Sequence, residues 1–218
     1  MEAAIAIRPS IKFKVSNFLM NTLPTAISQV LENCRQCIDQ RGDLSSIDRK
    51  KIYEKIDELS AGEHNNAGYY RRVKLELICA WKVLDKWEYQ LTDNSARELL
   101  ELAEKSLKGE VESQELQDKT NHLYIQAEDL MDKGEQYFMA AYAGFACISA
   151  ANAVLYDIDL DIIGIPEIEI DPDDWTACFY ACAAYCGGAT WEEAVGDDLK
   201  RREFWEWFLN EAIPAIWQ

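Results

Sequence analysis

The chain has 218 residues, 22 basic and 39 acidic side chains, and a formal net charge of -17. That length allows a buried core, and 49% hydrophobic residues with few glycines and prolines is globular composition. The charge excludes nucleic acid and anionic membrane surfaces as direct ligands, because both need clustered Lys and Arg, and it favours a basic protein or a multivalent cation.

Near the N-terminus Ile5, Ile7, Ile11, Phe13 and Val15 fall at odd positions around Pro9, a period that suggests a short strand or extended loop. Helical spacing then takes over. Ile27, Val30, Leu31, Cys34 and Ile38 form one apolar stripe, and Ser45 or Asp48 opens a second helix with Ile52, Ile56 and Leu59 inward. The segment from Gly62 to Gly68 breaks it. A third helix from about Tyr69 turns Val73, Leu77, Ala80, Trp81 and Leu84 inward, and Asp93 or Ser95 caps a fourth that Gly109 stops. The stripe Leu116, Leu123, Ala127, Leu130 and Met131 marks a fifth, ending at a bend at Gly134.

Gln136 to Tyr156 is free of charge and long enough to span a bilayer. Seven alanines, three tyrosines, Ser149 and Asn152 dilute it, so it reads as a central helix buried on all faces. Asp157 to Ile170 follows, with acids alternating with aliphatics. This predicts short strands or extended loops with apolar residues in and carboxylates out. Helices over Trp175–Tyr185 and Leu199–Ile213 follow, with Thr190 and Glu193 at capping-box spacing and Pro214 ending the last. In that last helix Trp205, Phe208 and Ala212 share a face that packs on the core together with Trp81, while Trp207 points elsewhere. The fold class is mainly α: a single helical bundle-like domain around an alanine-rich central helix, with at most short strands near the N-terminus and in the acidic segment.

The charge distribution carries the functional information. From Gly134 to Leu199 there are thirteen acids and no Lys or Arg, and eight of those acids are Asp157, Asp159, Asp161, Glu167, Glu169, Asp171, Asp173 and Asp174. Such a block repels itself, and it reads equally as a solvated edge and as a contact surface for a basic partner. Asp157, Asp159 and Asp161 have the spacing of a calcium loop, but Ile162 stands where the loop needs glycine and Ile168 where it needs glutamate. Cys34 and Cys37 have the spacing of a redox or zinc dithiol, without a second pair or histidine spacing to complete a metal site. All seven cysteines read as reduced thiols, and Cys178, Cys182 and Cys186 as packing residues on one helical face. His64 and His122 fit neither a metal site nor a triad. No cofactor is implied and no catalytic set stands out.

Several motifs, in order, carry a family resemblance: Tyr70-Arg71-Arg72-Val73-Lys74-Leu75 leading to Trp81-Lys82-Val83-Leu84-Asp85-Lys86-Trp87, and Thr92-Asp93-Asn94-Ser95-Ala96-Arg97 with Leu107-Lys108-Gly109 beyond. The most specific are Ala183-Ala184-Tyr185-Cys186-Gly187-Gly188, Lys200-Arg201-Arg202-Glu203-Phe204-Trp205-Glu206-Trp207 and Glu211-Ala212-Ile213-Pro214. Together, over about Tyr70 to Trp217, these resemble the all-helical immunity proteins of bacterial polymorphic toxin systems, in the family numbered fifth of that series. The family usually has proline where Ala96 stands, a preferred helix-start residue, and a richer alanine run in the two central helices.

The resemblance implies a cytoplasmic, non-enzymatic antidote that binds one toxin domain, with 69–218 as the immunity-protein-like domain; residues 1–68 fall outside the resemblance and read as an N-terminal helical region packed on the rest. The eight acids named above are then the expected partner-binding residues. A calcium-binding or generic acidic helical interaction module and a thiol redox protein using Cys34 and Cys37 are the alternatives.

Overall fold

The computed structural model describes residues 23–63, 66–192 and 195–218. The odd-numbered apolar run near the N-terminus, His64, and the Glu193 half of the expected capping box lie outside those residues. Among the described residues there are helices and turns and no strand. The helices are α1 (Thr25–Cys37), α2 (Ser46–Ser60), α3 (Ala67–Leu91), α4 (Ser95–Leu107), α5 (Ser113–Met131), α6 (Phe138–Tyr156), α7 (Ala177–Cys186) and α8 (Asp198–Trp207).

Local chemistry accounts for most boundaries. The Ser45 hydroxyl accepts the Asp48 amide at 3.2 Å and opens α2, and the Asp197 carboxylate accepts the Leu199 and Lys200 amides and opens α8. Between α3 and α4 the cap is indirect: Asp93, not the residue next to the helix, accepts the Ser95 amide and hydroxyl and the Trp87 indole N–H. Gly134 takes φ +105, a conformation that favours glycine, and turns the chain from α5 towards α6.

The end of the chain departs from expectation. Pro214 does not stop the helix. Phe208–Ala212 widens into a π turn, in which the Ile213 amide reaches back five residues to the Phe208 carbonyl, and a final turn at Ile213–Ala215 contains the proline. The wider turn accommodates a ring that a regular α-helix would press against the carbonyl four residues earlier.

α6 occupies the centre. It is long and apolar enough to cross a membrane, but α3, α4, α5 and α7 pack around it, and its alanines are buried. Small side chains let those neighbours approach closely. At Gly144 an added Cβ would stand 2.5 Å from the Trp87 ring of α3. Trp87 has no room to yield, because it is fully buried and its indole N–H is held by Asp93 at 2.9 Å and Ser95 at 3.2 Å. The core continues from Ile27 and Leu31 of α1 through Ile52 and Ile56 of α2 to Phe204, Trp205, Phe208 and Ile216. Gly144→Ala is therefore expected to destabilise the fold by about 1–3 kcal/mol through overpacking, measured by urea denaturation.

Candidate functional site

The acidic segment leaves the C-terminal end of α6 and returns to α7, and two buried guanidinium groups tie it down. Arg72, on the first turns of α3, is almost fully buried and pairs with Asp57 of α2 and with both carboxylate oxygens of Asp157. Asp157 takes φ 66, and its carboxylate also accepts the Ile158 amide at 2.7 Å, so the turn out of α6 is locked by its own side chain.

Arg49 of α2 does the same for the middle of the segment. Its guanidinium lies 5.6 Å from the centre of the Phe179 ring and 5.3 Å from that of Trp205, donates to Thr176 at 3.4 Å and pairs with Glu167. A charge so buried is tolerable only when paired, so Glu167 is held inward, its side chain 14% exposed. Two further hydrogen bonds fasten the backbone: the Trp175 indole donates to the Glu167 carbonyl at 2.9 Å, and the Tyr180 hydroxyl donates to the Pro172 carbonyl at 2.7 Å.

The alternation of acids and aliphatics does not produce strands. Ile163 and Ile165 form one isolated bridge, and single 3-10 turns occupy Glu167–Glu169 and Pro172–Asp174. The expected sorting of apolar residues inward and carboxylates outward holds only in part. Ile163 is buried, and Ile158 and Leu160 pack against the core. Asp157 and Glu167, expected to face water, turn in to Arg72 and Arg49, because two buried cations outweigh the alternation rule. Asp159, Asp161, Glu169, Asp171 and Asp174 are exposed, and Asp173 lies in the second 3-10 turn. Between the end of α6 and the start of α7 a cleft of about 530 Å³ has Glu76, Asp157, Asp159 and Asp174 in its lining and no Lys or Arg.

The arrangement does not resemble a calcium loop. Among the described residues no three His, Cys, Asp or Glu side chains converge to hold a metal ion. Asp159 accepts the Asp161 amide at 2.8 Å, and Asp157 is taken up by Arg72 and its own loop. The dithiol reading fares no better. Cys37 is exposed, while Cys34 is buried, donates to the Asp48 carbonyl, and has its thiol pushed up to about 11 by burial and the nearby Asp48 charge. A redox nucleophile needs the opposite shift.

The aromatic residues separate. Trp205 and Phe208 are fully buried, and the Trp205 indole donates to Asp43 at 3.1 Å. Trp81 is half-buried at the core's edge, with its indole on Glu104 and the Arg97 guanidinium over its ring. Trp207 is also half-buried and lies beneath Lys82.

The groups that sequence reasoning missed are buried charges, among them Arg49, Arg72, Glu76 and Arg201. A signal was available for Glu76, which sits three residues after Val73 and four before Ala80, inside the apolar stripe of α3. Only 1% exposed, Glu76 accepts the Tyr53 hydroxyl and the Ala177 amide, and so joins α2, α3 and the start of α7.

Burial pushes the Glu76 carboxyl up to about 7 from an ordinary 4.5, despite those hydrogen bonds and nearby Arg49. Between these values the folded protein keeps a proton that the unfolded chain releases. The resulting stability is complete below about pH 4.5 and is lost as pH rises through about 7, by on the order of 3 kcal/mol. In Glu76→Gln this slope is expected to flatten, so the difference in unfolding free energy between the two proteins should change across that interval in a pH series of denaturation curves.

The family described as Immunity protein Imm5 matches residues 31–215. The match begins well before the quoted motifs, taking in α2 and half of α1, and runs through the acidic segment to the π turn and the proline. No curated protein matches the chain. With one continuous helical core and a family match over most of its length, the chain belongs to the Imm5 family of immunity proteins.

Proposed function

We propose that the chain neutralises a bacterial toxin domain by binding it, that the toxin's contact face is basic, and that the acidic segment is the surface it meets. Membership of an immunity-protein family supports the neutralising role. The observation that supports the surface is the set of exposed carboxylates Asp159, Asp161, Glu169, Asp171 and Asp174, on a segment that Arg49 and Arg72 hold in place.

Rigid charge matters here for two reasons. A field of one sign raises the rate of encounter with an oppositely charged protein and selects against partners of like sign. A surface already ordered before binding also loses less entropy when the complex forms. A toxin that acts on nucleic acid presents cations to phosphates, and an acidic protein covers the same cations. The proposed site of action is the cytoplasm of the producing cell, where the antidote must capture the toxin quickly. Binding alone accomplishes this, without a catalytic group.

Within this scheme Asp157 and Glu167 hold the segment in place and the exposed acids meet the partner. The basic test is growth of cells that express the toxin domain encoded beside this gene, with and without this chain. Rescue with a co-purifying complex is expected. Replacing Asp159, Asp161, Glu169 and Asp174 by lysine should slow association about ten-fold or more at low salt and leave the helical circular dichroism intact. An unaltered association rate would remove the segment from the interface.

A further inference from the structure

In Glu167-Ile168-Glu169 the first two residues depart from the expected alternation, while Glu169 faces water as expected. The carboxylate of Glu167 is drawn in to Arg49, and Ile168 stands 66% exposed at the crest of the 3-10 turn. Three residues earlier Ile165 is 39% exposed. A single exposed aliphatic on a mobile loop means little. This one is on a turn whose backbone is fastened on every side: the Glu169 amide donates to the Pro166 carbonyl, the Ile170 amide to the Glu167 carbonyl, and the Trp175 indole to the same carbonyl. The fold therefore holds an apolar side chain out in water with the same buried ion pair that fixes the turn. Positions where a chain breaks a local rule and the fold maintains the break are expected to be functional or strained sites.

The surroundings specify the partner. Glu169, Asp171 and Asp174 follow within six residues, and Asp159 and Asp161 precede on the same segment, all exposed. An apolar centre with a charged rim is the usual composition of a protein interface, in which the centre carries the affinity and the rim governs encounter. We infer that Ile168, with Ile165 beside it in sequence, is the apolar anchor of the toxin interface, inserted into a recess that the toxin rims with lysine and arginine. This rests on the toxin-binding reading above and divides its labour: the carboxylates set the association rate, and Ile168 sets the lifetime of the complex.

The test is surface-plasmon kinetics with the full chain and the toxin domain encoded beside its gene. Ile168→Ala is expected to raise the dissociation rate about ten-fold, with the association rate within about two-fold and the melting temperature unchanged, because the side chain is exposed in the free protein. Ile168→Val should retain slow dissociation. The control is Tyr89→Ala, which removes the most exposed large hydrophobic side chain among the described residues, 87% exposed and roughly 25 Å along α3 from Arg72 at about 1.5 Å per residue. An unchanged dissociation rate in Ile168→Ala, or an equal rise in Tyr89→Ala, overturns the anchor while leaving toxin binding in place. A dimer of the wild-type chain that Ile168→Ala splits, seen by sedimentation, assigns the turn to a second copy and also overturns it. A wild-type chain that forms no complex overturns the toxin-binding reading, and the anchor falls with it.

Discussion

The pairing of Arg49 with Glu167 is the contact on which the placement of the acidic segment depends. Arg49 enters the core from α2 between Phe179 and Trp205, and a guanidinium there must find a carboxylate or leave the fold carrying an uncompensated charge. The carboxylate it finds is on a segment whose own secondary structure is two single 3-10 turns and one isolated bridge. The pair adds a buried charge contact to the aliphatic packing and the Trp175 and Tyr180 hydrogen bonds that fasten the same stretch. Arg72 repeats the device where the segment begins, with Asp57 and Asp157 on either side. Among the described residues three arginines, Arg49, Arg72 and Arg201, lie deep inside, and the first two hold acids of the segment in place while Asp159, Asp161, Glu169, Asp171 and Asp174 stay exposed.

The two halves of the molecule solve different problems. Around α6 the problem is proximity, met by alanines and by Gly144 against Trp87, so that four helices pack on one. Around the segment the problem is charge, met by a buried polar cluster of Arg49, Glu76, Tyr53 and Thr176 that joins α2, α3 and α7. The polar cluster costs desolvation and in return allows one arrangement of its members, so the segment beside it is fixed in a single conformation.

The helices were legible in the sequence because their causes are local. Apolar residues at three- and four-residue steps, Ser45 before α2 and a charge-free alanine-rich run for α6 are all short-range signals. Charge distribution was legible too, since the absence of Lys and Arg from Gly134 to Leu199 is a property of composition. What tertiary structure alone decided is which acids face outward. Alternation predicts Glu167 and Ile168 on opposite faces and assigns the isoleucine to the inside. The opposite occurs because Arg49, more than a hundred residues earlier, comes to lie beneath Glu167, and a pairing across that separation has no local signature. The same reason hides Arg72 with Asp157, and Glu76 with the Ala177 amide. Periodicity reports how a residue relates to its own element. The direction a charged side chain takes is set by whichever buried counter-charge the fold brings to it.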